Sequence, residues 1–179
     1  HEGLVKRIIG SHWGLQPRWM EMIAESKVEA FCLPQGQIAQ LYRSMACGLP
    51  GKMSKVGLGT FIDPRYEGGK MNERTKPLKN IVDILQYDNE EYMFYKAIPL
   101  DIVIIRGTTC DEMGNMNGRI GKSACGSMGY AIVDAQYADY VIAITDNLVP
   151  FPNLPASIDQ TLVDSVVVVD EIGDPNGSR

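Results

Sequence analysis

A chain of 179 residues is long enough to bury a substantial core, and 45% apolar with 22% charged residues is ordinary for a globular protein. The formal net charge of −5 argues against a general nucleic-acid binder, which would need a basic face. No apolar run approaches the length that crosses a bilayer; the longest, within Asp101–Arg106 and Val166–Val169, are strand-sized.

In chain order, His1-Glu2-Gly3 leads straight into Leu4, Val5, Ile8 and Ile9, whose spacing predicts a helix broken at Gly10 and Gly14. This opening lacks the shape of a signal peptide, and a start without Met predicts a trimmed or internal segment. Pro17 suits a helix start, with Trp19, Met20, Met22, Ile23 and Ala24 on its apolar side. Val28–Leu33 reads as a strand ended by Pro34, and Gln35-Gly36 turns into a helix closed by Gly48. Gly51 to Pro77 is loop-rich, with a short strand at Ser54–Val56. Strands follow at Tyr92–Ala97 and Asp101–Arg106, the latter patterned for burial on both faces. A glycine-rich loop from Gly114 to Gly129 leads to a helix over Tyr130–Ala138, and Tyr140–Thr145 and Val163–Val169 are again apolar strands. This order predicts an α/β fold, a mostly parallel sheet with flanking helices.

The first candidate site is Val56-Gly57-Leu58-Gly59-Thr60-Phe61. Gly57 and Gly59 let the backbone approach a ligand and aim amides at a thioester oxygen or a phosphate, and equally they make a plain turn leaving a strand. The second is the loop around Gly121, Lys122 and Ser123 before a helix. A Walker A reading fails because Met116 stands where that motif needs glycine, which leaves a general anion loop or a connector with a solvated lysine. Gln35 and Gly36 fall just past a strand end, where open α/β sheets bind ligands, or serve only as turn residues. Glu67 and His12 read more simply as a solvated turn residue and a hydrogen-bonded structural residue. Cys32, Cys47, Cys110 and Cys125 form no CxxC pair, so no metal site is expected and a reduced, cytoplasmic setting is.

Three segments together resemble the family I CoA-transferases: Gly10-Ser11-His12-Trp13-Gly14-Leu15, Leu33-Pro34-Gln35-Gly36-Gln37-Ile38 and Lys55 through Arg65. With Glu67-Gly68-Gly69-Lys70-Met71-Asn72 and Ile105-Arg106-Gly107-Thr108-Thr109, they are similar to the acetate/propionate CoA-transferase branch over residues 1–110. From residue 111 to 179 the text is similar to the citrate lyase alpha chain, in Gly121–Tyr130, Asp134–Asp139 and Pro152–Ile158. The resemblance implies one CoA-transferase-like α/β domain over residues 1–179, or an interior fragment of one. It implies ping-pong transfer of coenzyme A between short-chain acyl-CoA and carboxylates through an enzyme-glutamyl-CoA thioester. Gly57, Gly59, Thr60 and Phe61 would then contact the oxyanion or CoA, with Gln35 and Gly36 near the acyl end.

The catalytic residue stays unassigned. In this family the nucleophilic glutamate is expected downstream of Arg179, and an opening strand and glycine-rich loop upstream of His1. Glu67, Glu112 and Glu171 are therefore not promoted, and the segment alone is expected not to transfer CoA. A homo-oligomer, or association with the remaining half of the enzyme, is implied, with no nucleic acid or membrane partner. Two alternatives stay open: a citrate lyase alpha subunit exchanging citrate on an acyl-carrier thioester, and a non-catalytic ligand-binding or scaffold domain of the same fold.

Overall fold

The computed structural model describes residues 3–121, 126 and 128–172. They form two compact units that meet in sequence at Ala97 and Ile98.

In the first unit, β1 (Arg7–Gly10) pairs in parallel with β2 (Glu29–Cys32), in register from Arg7 opposite Glu29 to Gly10 opposite Cys32. The predicted opening helix is thus a strand. Ile8 and Ile9 are β-branched, Gly10 follows at once, and pairing with β2 overrides the helical spacing. An Arg7–Glu29 ion pair at 2.7 Å fixes the first rung. Between these strands α1 (Pro17–Ala24) buries Met22 and Ile23 against Val28 and Ala30, joined by Ile8, Trp13 and Trp19. The Trp13 ring lies so close over Gly10 that a Cβ there would come within 2.7 Å of it.

After β2, α2 (Gln35–Ala46) buries Leu41, Ser44 and Met45 and ends at Gly48, whose φ of 72° is the left-handed stop expected of a C-terminal glycine. Next, β3 (Gly51–Ser54), β4 (Val82–Tyr87) and β5 (Glu90–Lys96) make an antiparallel sheet in the order β3-β5-β4. The strand expected at Ser54–Val56 lies earlier, because Gly51 pairs with Lys96 and the chain has left the sheet by Lys55. β4 was not foreseen. Its hairpin turn, Asp88-Asn89, holds both residues at positive φ (51° and 59°), a conformation these side chains tolerate.

The second unit is built on a parallel sheet of β6 (Ile102–Arg106), β9 (Tyr140–Thr145) and β10 (Ser165–Val168), in the order β10-β9-β6. One face is core. Ile105, Val141 and Ala143 pack with Ala135 of α3 (Ala131–Tyr137) and with Cys110, Met116 and Ile158. The other face is bare: Ile102 and Ile104 are 59% and 64% exposed. Burial of β6 on both faces was therefore a wrong expectation. Here β6 is an edge strand, and among the described residues the helix packs over one face only.

A small antiparallel pair, β7 (Thr109–Cys110) with β8 (Met116–Asn117), closes the core. Fully buried Asp111 organises the link between them. Its carboxylate accepts from the amides of Met113, Asn115 and Asn153 and from the Asn115 side chain at 2.8–3.0 Å. Burial works to raise its pKa, but these four donors hold it below the ordinary value.

The α/β class with parallel strands and few helices stands, with the antiparallel β3-β5-β4 sheet as an addition. No helix among the described residues is long and apolar enough to cross a membrane.

Candidate active site

The Gly57–Phe61 turn leaves β3 and is fixed from two sides. From β5, fully buried Tyr95 donates its hydroxyl to the Val56 carbonyl at 2.7 Å, and burial pushes the phenol up to about 12. Gly57 has φ of 100°, and a Cβ there would meet the Tyr95 hydroxyl at 2.7 Å, so this position needs glycine twice over. From the other side, the buried carboxylate of Asp63 accepts the Gly59 amide at 2.9 Å and the Arg65 amide at 3.0 Å. The Arg65 guanidinium adds two more bonds to it, at 2.7 and 3.0 Å, and reaches Glu91 of β5 at 2.9 Å. The paired guanidinium, helped by the two amides, holds the Asp63 carboxyl well below the usual range, and Asp63 and Glu91 in turn raise the Arg65 pKa.

This geometry redistributes the amides on which an oxyanion site depends. Leu58, Gly59 and Thr60 donate to Lys55, Asp63 and Gly57 within the loop. Among the described residues, the N–H groups of Gly57 and Phe61 have no such partner. Gly59 and Thr60 thus spend their amides on shaping the turn, while those of Gly57 and Phe61 are not spent within it. Phe61 is also half-exposed, as is Val56, so the turn offers apolar surface beside those amides.

Gly69 connects this turn to the strand end. Its amide donates to the Phe61 carbonyl at 3.0 Å, and its own carbonyl accepts the Cys32 amide at 2.8 Å. A Cβ on Gly69 would sit 2.6 Å from the Cys32 carbonyl oxygen, so only glycine allows the crossing. Cys32 ends β2, and Gln35 and Gly36 open α2 just beyond it, exposed and without a side-chain cap. Gln35, Gly36 and Phe61 therefore belong to one region of the first unit. His12, past the end of β1, is exposed nearby in the register.

Next to the downstream arm of this loop is a cavity of ≈ 570 Å³, walled by Pro64, Tyr66, Glu67, Lys70 and Asn80 among others. Glu67 is exposed, and its side chain has no hydrogen-bond or ion-pair partner among the described residues. The other sequence candidate lies in the second unit. Gly121 has φ of 146° and packs against Thr108 and Thr109, while Lys122 and Ser123 fall outside the described residues. Glu112 and Glu171 are exposed, and Cys110 is buried, its thiol pushed up to about 11 by burial and then by the Asp111 charge.

Asp63, Arg65 and Tyr95 were not singled out from sequence. A readable signal existed for the first two: Asp-Pro-Arg places an acceptor two residues before an amide, the pattern of an Asx turn.

The model of the citrate lyase alpha subunit family matches residues 90–178. An acetate CoA-transferase, YdiF, of Escherichia coli is 47% identical over 113 residues, covering 63% of this chain and 21% of that protein. A caffeate CoA-transferase of Acetobacterium woodii is 38% identical over 177 residues, covering 93% of this chain and 32% of its own length. The solved acyl-CoA transferase YdiF of Escherichia coli O157:H7, described as a thioester complex with CoA, superposes with a TM-score of 0.81 at 38% identity. That match takes in 95% of this chain and 33% of the solved one. The chain belongs to the CoA-transferase family. Its two resemblances are both borne out, because the CoA-transferases match and the citrate lyase alpha subunits match as well. The chain spans about a third or less of the length of these relatives.

Proposed function

We propose that this chain supplies the acyl-contacting part of a CoA-transferase that moves coenzyme A between a short-chain acyl-CoA and a carboxylate. The observation that carries the reading is the glycine turn. Its shape is fixed by Tyr95 and Asp63, and it keeps the Gly57 and Phe61 amides unspent. Preorganised amides stabilise an oxyanion because they need no reorientation as charge develops. The likeness to a protein described as a thioester complex with CoA supports coenzyme A as the group transferred.

In the mechanism this family implies, a glutamate attacks the acyl-CoA carbonyl and its oxygen becomes an oxyanion beside the turn. CoA thiolate leaves, then attacks the resulting anhydride to give the glutamyl-CoA thioester and release the first carboxylate. The second carboxylate reverses these steps. Gln35 and Gly36 would face the acyl end, and the Gly121–Ser123 loop would hold an anion. Assembly into a homo-oligomer, or with a further part of the enzyme, belongs to the same reading.

The test is exchange of labelled acetate into propionyl-CoA. The expected result is no exchange by the 179-residue chain alone and exchange by a longer protein that contains it, abolished by blocking the turn with Gly57→Val. Exchange that survives Gly57→Val would overturn the role of the turn. The citrate lyase alpha reading is favoured by the family match over residues 90–178; it predicts citrate, rather than acetate or propionate, as the accepted carboxylate.

A further inference from the structure

A second cavity of the first unit, ≈ 480 Å³, is lined by four cations, Lys6, Arg18, Lys27 and Arg74, with Val5 and Met22 on its apolar wall. Among the described residues, no carboxylate and no aromatic ring belongs to this lining. The chain carries a net charge of −5, so four of its 17 basic residues around one hollow run against the overall balance. Lys6 stands directly before β1 and Lys27 two residues before β2, which puts the cavity at the amino ends of this parallel pair. Gly10 and Cys32 close the carboxyl ends, roughly 13 Å away along strands of this length.

Three separate segments supply the cations, and hydrogen bonds hold them together. The Glu29 amide donates to the Lys6 carbonyl at 3.0 Å, and the Lys27 amide to the Met22 carbonyl at 2.8 Å. The Asn72 carboxamide donates to the carbonyls of Ile23 and Val28 at 3.1 and 2.8 Å, and Arg74 Nη1 to the Lys27 carbonyl at 2.9 Å. A carbonyl orients that guanidinium without cancelling its charge, and the rest of the fork is left for another acceptor. The Lys6 ammonium has no protein partner among the described residues. Arg18 and Lys27 pair with Glu21 and Glu25 at 2.6 Å, but both pairs are exposed and therefore weak. Two positive charges, on Lys6 and Arg74, thus line the hollow without a counter-charge among the described residues.

We propose that this cavity binds a small phosphorylated molecule with two or more negative charges and no aromatic ring. The two uncompensated cations set the charge. Phosphate suits them better than a carboxylate, because its tetrahedral oxygens accept at once from an ammonium and a guanidinium fork arriving from different segments. The volume leaves room for more than one phosphate group and lies within the usual range of small-molecule sites. A nucleobase would find no ring to stack on. The inference stands on this cavity alone and does not rest on the transferase reading.

Calorimetric titration of the 179-residue chain with inorganic pyrophosphate tests it, with adenosine diphosphate and the tricarboxylate tricarballylate as comparison probes. Pyrophosphate binds at one site per chain, tricarballylate about fivefold more weakly, and adenosine diphosphate no more tightly than pyrophosphate. Lys6→Gln and Arg74→Gln each weaken pyrophosphate by about tenfold, and Arg18→Gln and Lys27→Gln by about threefold. Lys79→Gln removes an exposed lysine outside the lining and leaves affinity unchanged. The Lys6 ammonium makes no internal bond among the described residues, so Lys6→Gln keeps the melting temperature of the unliganded chain. Pyrophosphate that fails to bind, or that binds as well after Lys6→Gln, overturns the site, as does an equal loss on Lys79→Gln. Tricarballylate bound as tightly as pyrophosphate, or adenosine diphosphate bound much more tightly, overturns the ligand class. The exchange of acetate into propionyl-CoA judges the transferase reading separately.

Discussion

Asp63 in the first unit and Asp134 in the second are both buried carboxyls, and they have opposite fates. Asp63 collects two amides and a forked guanidinium, and its pKa falls. Asp134, in the first turn of α3, buries Oδ1 with no donor among the described residues, and burial pushes its carboxyl up to about 6. Burial alone therefore does not decide what a carboxylate does. The donors do: where the loop supplies them, the charge becomes a fastening for the glycine turn, and where the helix does not, the charge is a liability.

The comparison breaks most visibly if Asp63 is truncated. Asp63→Ala strands the Gly59 amide and the Arg65 fork, and a loss of about 3 kcal/mol is expected in urea unfolding, by analogy with other buried pairs stripped of one partner. A loss no larger than that of an exposed Asp→Ala change would show that the fastening is ornamental. Gly57→Ala follows, at about 2 kcal/mol, because it combines a left-handed backbone with a clash against the Tyr95 hydroxyl. Its companion readout is the near-ultraviolet tyrosine signal.

Asp134 sharpens the contrast through pH. A carboxyl whose folded-state pKa exceeds its unfolded value favours the folded state when protonated. That contribution is full below the ordinary value of 3.8 and disappears as pH climbs through about 6. Asp134→Asn should therefore match the native chain at low pH and melt at a higher temperature above pH 6. Equal melting temperatures across that window would remove the liability. For Asp63 the sign is opposite, so its contribution is present above the ordinary value and lost only in strong acid. The smallest effect concerns thiols: exposed Cys47 should be alkylated well before Cys110, which is buried and whose pKa is pushed up to about 11. Mass spectrometry of timed samples reads the order.

Strands with a continuous apolar pattern, such as Tyr140–Thr145, were legible because pairing and pattern agree there. At the amino end they disagree: Leu4, Val5, Ile8 and Ile9 fit a helix by spacing, but β2, about twenty residues away in sequence, takes Ile8 and Ile9 into a strand and leaves Leu4 and Val5 outside it. β4 was missed for a different reason, since Val82–Tyr87 mixes Asp, Gln and Tyr and has one sheet neighbour. At the site, the glycines were visible and their anchors were not. That Gly59 would surrender its amide to Asp63 depends on a four-residue loop geometry that spacing alone does not fix.

The indole of Trp13 lies over Gly10, and Trp19 packs into the same cluster, so both tryptophans of the chain report from residues before Ala97. Emission excited at the indole band is blind to everything after that point, whereas circular dichroism sees the whole backbone. Melting curves recorded by the two methods will superimpose only if both halves come apart in a single step.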